Sequence, residues 1–173
     1  STYAGQTRLR ADGGVSGHIY ILDKGFSMSN MKSTALAVWQ GGLYEGQGHI
    51  TSGKAAFDGI PFAPNYRNEG PNTTDPEELL AAAHATCYSL TLSTILGTCS
   101  LAPVKIETEA TITLEKGGDG PTITRSHLNV RAMVPGATPE QFIEAAKRAE
   151  VECPISKLMK LEITLEAHLV DVG

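Results

Sequence analysis

Asp75-Pro76-Glu77-Glu78-Leu79-Leu80-Ala81-Ala82-Ala83-His84-Ala85-Thr86-Cys87-Tyr88-Ser89 opens the most strongly marked helix of the chain. Asp75 is expected as the N-cap, Pro76 as the first helical residue and Glu78 as the third, which together make a D-x-x-E capping box. Gly97 is a natural stop for this helix. Leu79, Leu80, Ala83, Cys87, Leu90, Ile95 and Leu96 spread around nearly the whole circumference, so the helix is expected to be buried on most sides. One small sheet cannot cover it, and the missing layer is expected from a second subunit.

Beyond this helix the apolar pattern changes to period two. Val104, Ile106, Thr108, Ala110, Ile112 and Leu114 are expected on one face, with Lys105, Glu107, Glu109, Thr111, Thr113 and Glu115 on the other. Leu128, Val130, Ala132 and Val134 alternate in the same way with His127, Asn129, Arg131 and Met133. Such alternation gives strands one buried and one wet face, as antiparallel sheets have. Residues 116–121 read as the hairpin loop between the two strands. Thr138-Pro139-Glu140-Gln141 caps a second helix that ends near Glu152. Pro154 breaks that helix and can open a short third one, with Cys153 at or near its N-cap. A final strand turns Leu161, Ile163, Leu165, Ala167 and Leu169 inward. Ahead of the marked helix, residues 34–39 and 46–52 are short strands around a glycine-rich turn. Residues 59–75, rich in Pro, Gly and Asn, read as one long loop of the kind that carries function. Strands, a helix, two strands, helices and a strand make an α+β order rather than an alternating parallel one.

The length of 173 residues fits one domain. Fourteen Lys and Arg stand against 19 Asp and Glu, a net charge of −5, and such a balance lacks the basic stripe of a nucleic-acid binder. A hydrophobic content of 41% fills a core and argues against wholesale disorder. No apolar run is read as approaching the ~20 residues of a membrane span, and no basic-then-apolar stretch opens the sequence. Three Cys are too few for a disulfide scaffold, which points to the cytoplasm. Charge shifts near residue 33: Arg8, Arg10, Lys24 and Lys32 against Asp12 and Asp23 leave +2 before it, and the remainder carries −7. Met28 and Met31 are each a possible start. Residues 1–33, with a weak strand at 18–22, therefore read as a natural extension or a vector-derived segment, and residues 34–173 as the domain proper.

Two cysteines draw attention. Cys153, at a helix start, has a thiolate favoured by unsatisfied N–H groups. Cys87, mid-helix, is either a buried inert thiol or a nucleophile. Cys99 follows Gly97 and reads as structural. No C-x-x-C exists, so a thioredoxin-type pair or a zinc ribbon is unsupported. His18, His49, His84, His127 and His168 lack metal-ligand spacing. His84 lies three residues before Cys87 on one helix face. That spacing allows a Cys–His nucleophile, but a histidine packed in the core is the preferred reading. Gly13, Gly14 and Gly17 open no capped helix and are not a phosphate cradle.

Asn72-Thr73-Thr74, continuing through the helix run quoted above to Ser89, resembles the central-helix motif of the osmotically inducible protein C / organic hydroperoxide resistance (OsmC/Ohr) family. Cys153-Pro154-Ile155-Ser156-Lys157-Leu158 followed by Leu161-Glu162-Ile163-Thr164-Leu165 resembles its second motif. Trp39-Gln40-Gly41-Gly42 and Tyr66-Arg67-Asn68-Glu69-Gly70 fit the same pattern, and the likeness covers residues 34–170. The wording is closer to the OsmC branch than to the Ohr branch. The resemblance implies an α+β fold of antiparallel sheets around a long buried helix, in an intertwined homodimer with two sites at the subunit interface. It implies thiol-dependent reduction of organic hydroperoxides in stress defence, with an external dithiol as reductant and no bound cofactor. It assigns the peroxidatic role to Cys87, the resolving role to Cys153 and a catalytic carboxylate to Glu77. The OsmC branch carries its arginine in the loop ahead of the helix, which matches Arg67. The Ohr branch takes it from a glycine-rich turn near the N-terminus, where this chain offers Val15 or Leu43.

Physical chemistry is consistent with these roles. A thiolate attacks the peroxide bond, an arginine stabilises thiolate and alkoxide, and a carboxylate orients the arginine. An apolar pocket is expected beside Cys87, with Ile60, Phe62, Ile155 and Leu158 as its candidate lining. Two rivals stand beside this reading. One is a non-catalytic small-molecule-binding protein on the same fold, which does not need all four groups. The other is a Cys–His acyl-transfer enzyme using Cys87 and His84, which leaves Cys153 idle.

Overall fold

The computed structural model describes residues 31–67, 70–118 and 120–170. The strand expected at 18–22 lies outside the described residues. Contacts divide the chain into Ser1–Met31 and Lys32–Gly173, and every element below belongs to the second unit. In order these are β1 (Ala35–Gln40), β2 (Gln47–Ser52), β3 (Ile60–Phe62), a 3-10 turn (Asn65–Arg67), α1 (Pro76–Thr98), β4 (Lys105–Gly117), β5 (Gly120–Met133), α2 (Pro139–Glu152), α3 (Pro154–Leu158) and β6 (Glu162–Leu169). They form the expected α+β architecture, with two three-stranded sheets ordered β1-β2-β3 and β4-β5-β6.

Local chemistry sets the helix ends. Asp75 accepts the Glu78 N–H at 2.8 Å, but only this half of the expected box forms. The Glu78 carboxylate turns instead to the Thr74 hydroxyl at 2.6 Å. At α2 the box is complete, with Gln141 N–H on the Thr138 hydroxyl and Thr138 N–H on the Gln141 side chain. α1 runs through Gly97 rather than stopping there. Ser100, at φ 59°, takes the left-handed position, and Leu101 N–H closes back on the Leu96 carbonyl at 3.0 Å.

The inner face of α1 is Tyr88, Leu92, Ile95 and Leu96, fully or almost fully buried. These residues belong to one core with Leu128, Val130, Ala132 and Val134 of β5 and its continuation, and with Phe142, Ala145 and Ala149 of α2. The Tyr88 hydroxyl donates to the Ala146 carbonyl at 3.0 Å, tying α1 to α2 through the interior. The other face is open: Ala82, Ala83, Thr86, Ser93 and Thr94 are exposed, and Leu90 is 71% exposed. The expectation of burial on most sides is therefore met on one side only within this chain. α1 also meets the length and composition of a membrane-crossing helix, contrary to the reading that no stretch does. Its contacts with β4, α2 and α3 make it the helix around which the domain packs.

Four further differences stand out. β6 pairs with β5 in parallel, from Arg125 opposite Glu162 to Ala132 opposite Leu169, so the second sheet is mixed rather than antiparallel. The chain crosses from β5 to β6 through α2 and α3, and a helical crossover returns it to the end where β5 began. The hairpin between β4 and β5 is tighter than residues 116–121, because Lys116 pairs with Pro121 and Gly117 with Gly120. Residues 59–75 contain β3 and the 3-10 turn, and the segment is zipped by Ala63 N–H to Thr74 O and Thr74 N–H to Pro61 O. Val104, expected inward, precedes β4 and is 65% exposed.

The division between cap and core gives a measurable ranking within α2. Thr138→Ala removes one cap and should cost about 1 kcal/mol. Phe142→Ala empties a fully buried ring site and should cost about 3–5 kcal/mol. Urea unfolding of both variants checks this, and equal losses would show that α2 is not held by its buried face.

Candidate active site

Cys87 lies next to Tyr88 in the middle of α1, on the flank of the buried stripe, and is half-buried. α3 crosses this flank and brings Cys153, fully buried, to it. The two thiols, 66 residues apart in sequence, are close enough for Cys153 to act on the Cys87 sulfur, and both are free. Burial pushes the Cys87 thiol above its ordinary pKa. The N–H of Ile155 acts against this by donating to its sulfur, Cys153 raises it further, and the Thr91 hydroxyl lowers it.

This corrects the expectation for Cys153. It does cap α3, yet its side chain makes no capping hydrogen bond. The backbone donor of the α3 first turn goes to Cys87 instead.

His84 is fully buried one turn before Cys87. Its Nδ1 is 2.7 Å from the Ser126 hydroxyl of β5, and its Nε2 is 3.0 Å from the Ser156 hydroxyl of α3. Both ring nitrogens are thus engaged, and burial lowers the pKa. A neutral ring held by two hydroxyls is a core histidine, and it does not serve Cys87 as a base. The acyl-transfer reading loses its second residue on this geometry.

Arg67 and Glu77 are organised around the first sheet. Arg67 donates Nη1 to the Gly46 carbonyl at 2.8 Å and lies over the Trp39 ring, 5.8 Å from its centroid. Trp39 tilts against Phe62 with ring centroids 5.6 Å apart. Gly46 and Gly48 make room for this stack: a Cβ at Gly46 would be 2.6 Å from Trp39, and one at Gly48 would be 2.5 Å from Phe62. Glu77, in the first turn of α1, lines a largely apolar cavity of about 840 Å³ with Trp39, Leu43, Phe62 and Ile112. Glu77 thus sits on the cavity to which the Trp39 ring under Arg67 also belongs. Ten residues of helix separate Glu77 from Cys87, a rise of ~15 Å.

Of the four candidate residues, the structure brings Cys87 to Cys153, and it places Glu77 far along α1 from both. Of the expected pocket residues, Ile155 meets Cys87 through its backbone, while Phe62 lines the cavity at Glu77. Ile60 is at the sheet edge and Leu158 is 72% exposed. Thr91, Ser126 and Ser156 were not anticipated as partners. Thr91 follows Cys87 by one helical turn, a spacing that points to it, whereas Ser126 of β5 and Ser156 of α3 meet α1 only through tertiary packing, which no spacing in the sequence announces. Among the described residues no cluster of three His, Cys, Asp or Glu is placed to hold a metal ion.

Comparison with known proteins follows the same lines. The family model for OsmC-like proteins matches residues 68–168. A peroxiredoxin OsmC of Escherichia coli (strain K12) is 37% identical over 133 residues, 77% of this chain and 93% of that protein. The organic hydroperoxide resistance protein OhrB of Bacillus subtilis superposes with a TM-score of 0.61 at 26% identity, over 79% of this chain and 98% of that one. An OsmC-like protein of Vibrio cholerae shares the fold, with a TM-score of 0.66 at 18% identity over 80% of this chain and 99% of that one. From the entry of α1 almost to the end of β6 the match is continuous, and the chain belongs to the OsmC-like protein family.

Proposed function

We propose that this protein is a thiol peroxidase that reduces organic hydroperoxides to alcohols in oxidative or osmotic stress, with Cys87 as the peroxidatic and Cys153 as the resolving cysteine. The observation that carries the reading is the meeting of these two free thiols across α1 and α3. The Cys87 thiolate attacks the terminal peroxide oxygen; the O–O bond breaks, the sulfur takes the hydroxyl as sulfenic acid, and the alkoxide leaves and is protonated. Cys153 then attacks the Cys87 sulfur, an S–S bond replaces the S–O bond, and water leaves. An external dithiol reduces the disulfide by exchange, so the cycle calls for no bound cofactor.

Burial raises the pKa of Cys87, so its thiolate needs a cation. Arg67 is the proposed donor, oriented by Glu77. The rise of α1 puts Glu77 out of reach of Cys87 on the same helix, so Glu77 and Arg67 are proposed to serve the Cys87 of a partner chain in a homodimer. The open face of α1, with Leu90 71% exposed, supports the same arrangement. The protein is proposed to act in the cytoplasm.

Mixing the protein with dithiothreitol and cumene hydroperoxide, and following peroxide loss, tests the activity itself. Cys153→Ser should react once with peroxide, fail to turn over and accumulate sulfinic acid at Cys87. Intact-mass spectrometry after one equivalent reads this, and full turnover without sulfinic product would remove Cys153 from the cycle.

Substrate preference follows from the apolar surroundings. Burying about 60 Å² of hydrocarbon contributes about 1.5 kcal/mol, so kcat/KM for cumene hydroperoxide should exceed that for hydrogen peroxide by at least about tenfold. Equal values would defeat the pocket argument.

Subunit sharing has its own test. Cys87→Ser and Glu77→Ala homodimers should each be inactive, while a heterodimer of the two has one intact site and recovers activity. Exchanged mixtures without recovery would mean that each chain builds its own site.

A further inference from the structure

We infer that His84 is a positioning residue for the disulfide-forming step, acting through Ser156 to hold α3, and with it Cys153, in line with Cys87. The inference rests on the assignment of Cys87 and Cys153 given above. α3 has five residues, a single turn, and a single turn is not stable by itself. Its place depends on what ties it to the rest of the domain.

Two polar ties link α3 to α1. One is the Ile155 N–H on the Cys87 sulfur. The other is the Ser156 hydroxyl on His84 Nε2, at 3.0 Å, with Ser156 only 6% exposed and His84 fully buried. The first involves the atom that is oxidised, so it changes when Cys87 becomes a sulfenic acid. The second is one turn away along α1 and is untouched by that chemistry. The other ring nitrogen of His84 is 2.7 Å from the Ser126 hydroxyl of β5, while the contact with α3 itself is the Nε2–Ser156 pair.

The timing matters because disulfide geometry is narrow. In the closing step the Cys153 sulfur attacks the Cys87 sulfur, the S–S bond forms, the S–O bond breaks, and the departing hydroxide leaves as water with the thiol proton. A displaced α3 delays that attack and leaves the sulfenic acid open to a second equivalent of hydroperoxide, which oxidises it to sulfinic acid and is itself reduced to alcohol. His84 touches neither sulfur in this scheme, since both ring nitrogens are occupied by hydroxyls.

The two serines separate positioning from general stability. Each of Ser156→Ala and Ser126→Ala deletes one partner of the same ring, but only the former unties α3. After one equivalent of cumene hydroperoxide, with rapid alkylation and intact-mass analysis, Ser156→Ala should form sulfenic acid at the wild-type rate. It should then close the disulfide about three- to tenfold more slowly, the weight of one hydrogen bond. With excess peroxide it should show more sulfinic acid. Ser156→Thr, which keeps the hydroxyl, should restore closing. Ser126→Ala should lower the Tm while the ratio of disulfide to sulfinic acid stays at the wild-type value. Unchanged closing in Ser156→Ala, or slowing in both variants in proportion to lost Tm, overturns the positioning role. A wild-type protein that forms no Cys87–Cys153 disulfide overturns the peroxidase reading itself, and the inference with it.

Discussion

The packing of one stripe of α1 onto the second sheet and α2 fixes everything else about the site. Tyr88, Leu92 and Leu96 are fully buried, and their burial sets the rotation of the helix about its own axis. Once that rotation is set, His84 must point inward between β5 and α3, and Cys87 must lie on the flank where α3 crosses. A helix offers neighbours only three and four residues away. The alignment of His84, Cys87, Tyr88 and Thr91 on adjoining lines is therefore a direct result of their spacing once the stripe is buried.

The same helix that brings the sulfurs together keeps the carboxylate away. A rigid rod carries Glu77 at one end and Cys87 in its middle, and the polar groups close to Cys87 are a backbone N–H, a hydroxyl and a second thiol. The N–H and the hydroxyl offset the burial of the sulfur only in part, and the second thiol adds to it. The first sheet gathers the other ingredients, a guanidinium over an indole and a carboxylate on an apolar cavity. The chain thus keeps its two neighbouring thiols where α3 meets α1 and its Arg67 and Glu77 at the first sheet and the start of α1.

Much of the frame was legible in the sequence because it rests on short-range rules. Asp75 and Thr138 mark their helix starts by chemistry within one turn, and the alternation of Leu128, Val130, Ala132 and Val134 marks a strand buried on one face. The pairing of Cys87 with Cys153 was legible only as a resemblance, since no spacing rule relates residues so far apart. The direction of β6 was not legible, because alternation tells which face is wet but not which way the neighbouring strand runs. The transfer of the Ile155 N–H to Cys87, and of both ring nitrogens of His84 to serines, was hidden for the same reason. Each depends on how α3 and β5 pack against α1. The exposure of Leu90 shows the opposite case, where the sequence indicated an apolar surface and the single chain leaves it uncovered.

The parallel pairing of β5 with β6 has a consequence for how the site comes into being. The β4–β5 hairpin closes between Gly117 and Gly120, whereas Arg125 meets Glu162 only after 37 intervening steps along the chain. Loop entropy makes the second closure costlier by about 2–3 kcal/mol, and it has to bring α2 and α3 with it. During synthesis and refolding, α1 and the hairpin can therefore meet before the crossover docks. For that interval Cys87 has neither its amide donor nor its neighbouring thiol, so the environment of its sulfur is completed only when the last strand is in place.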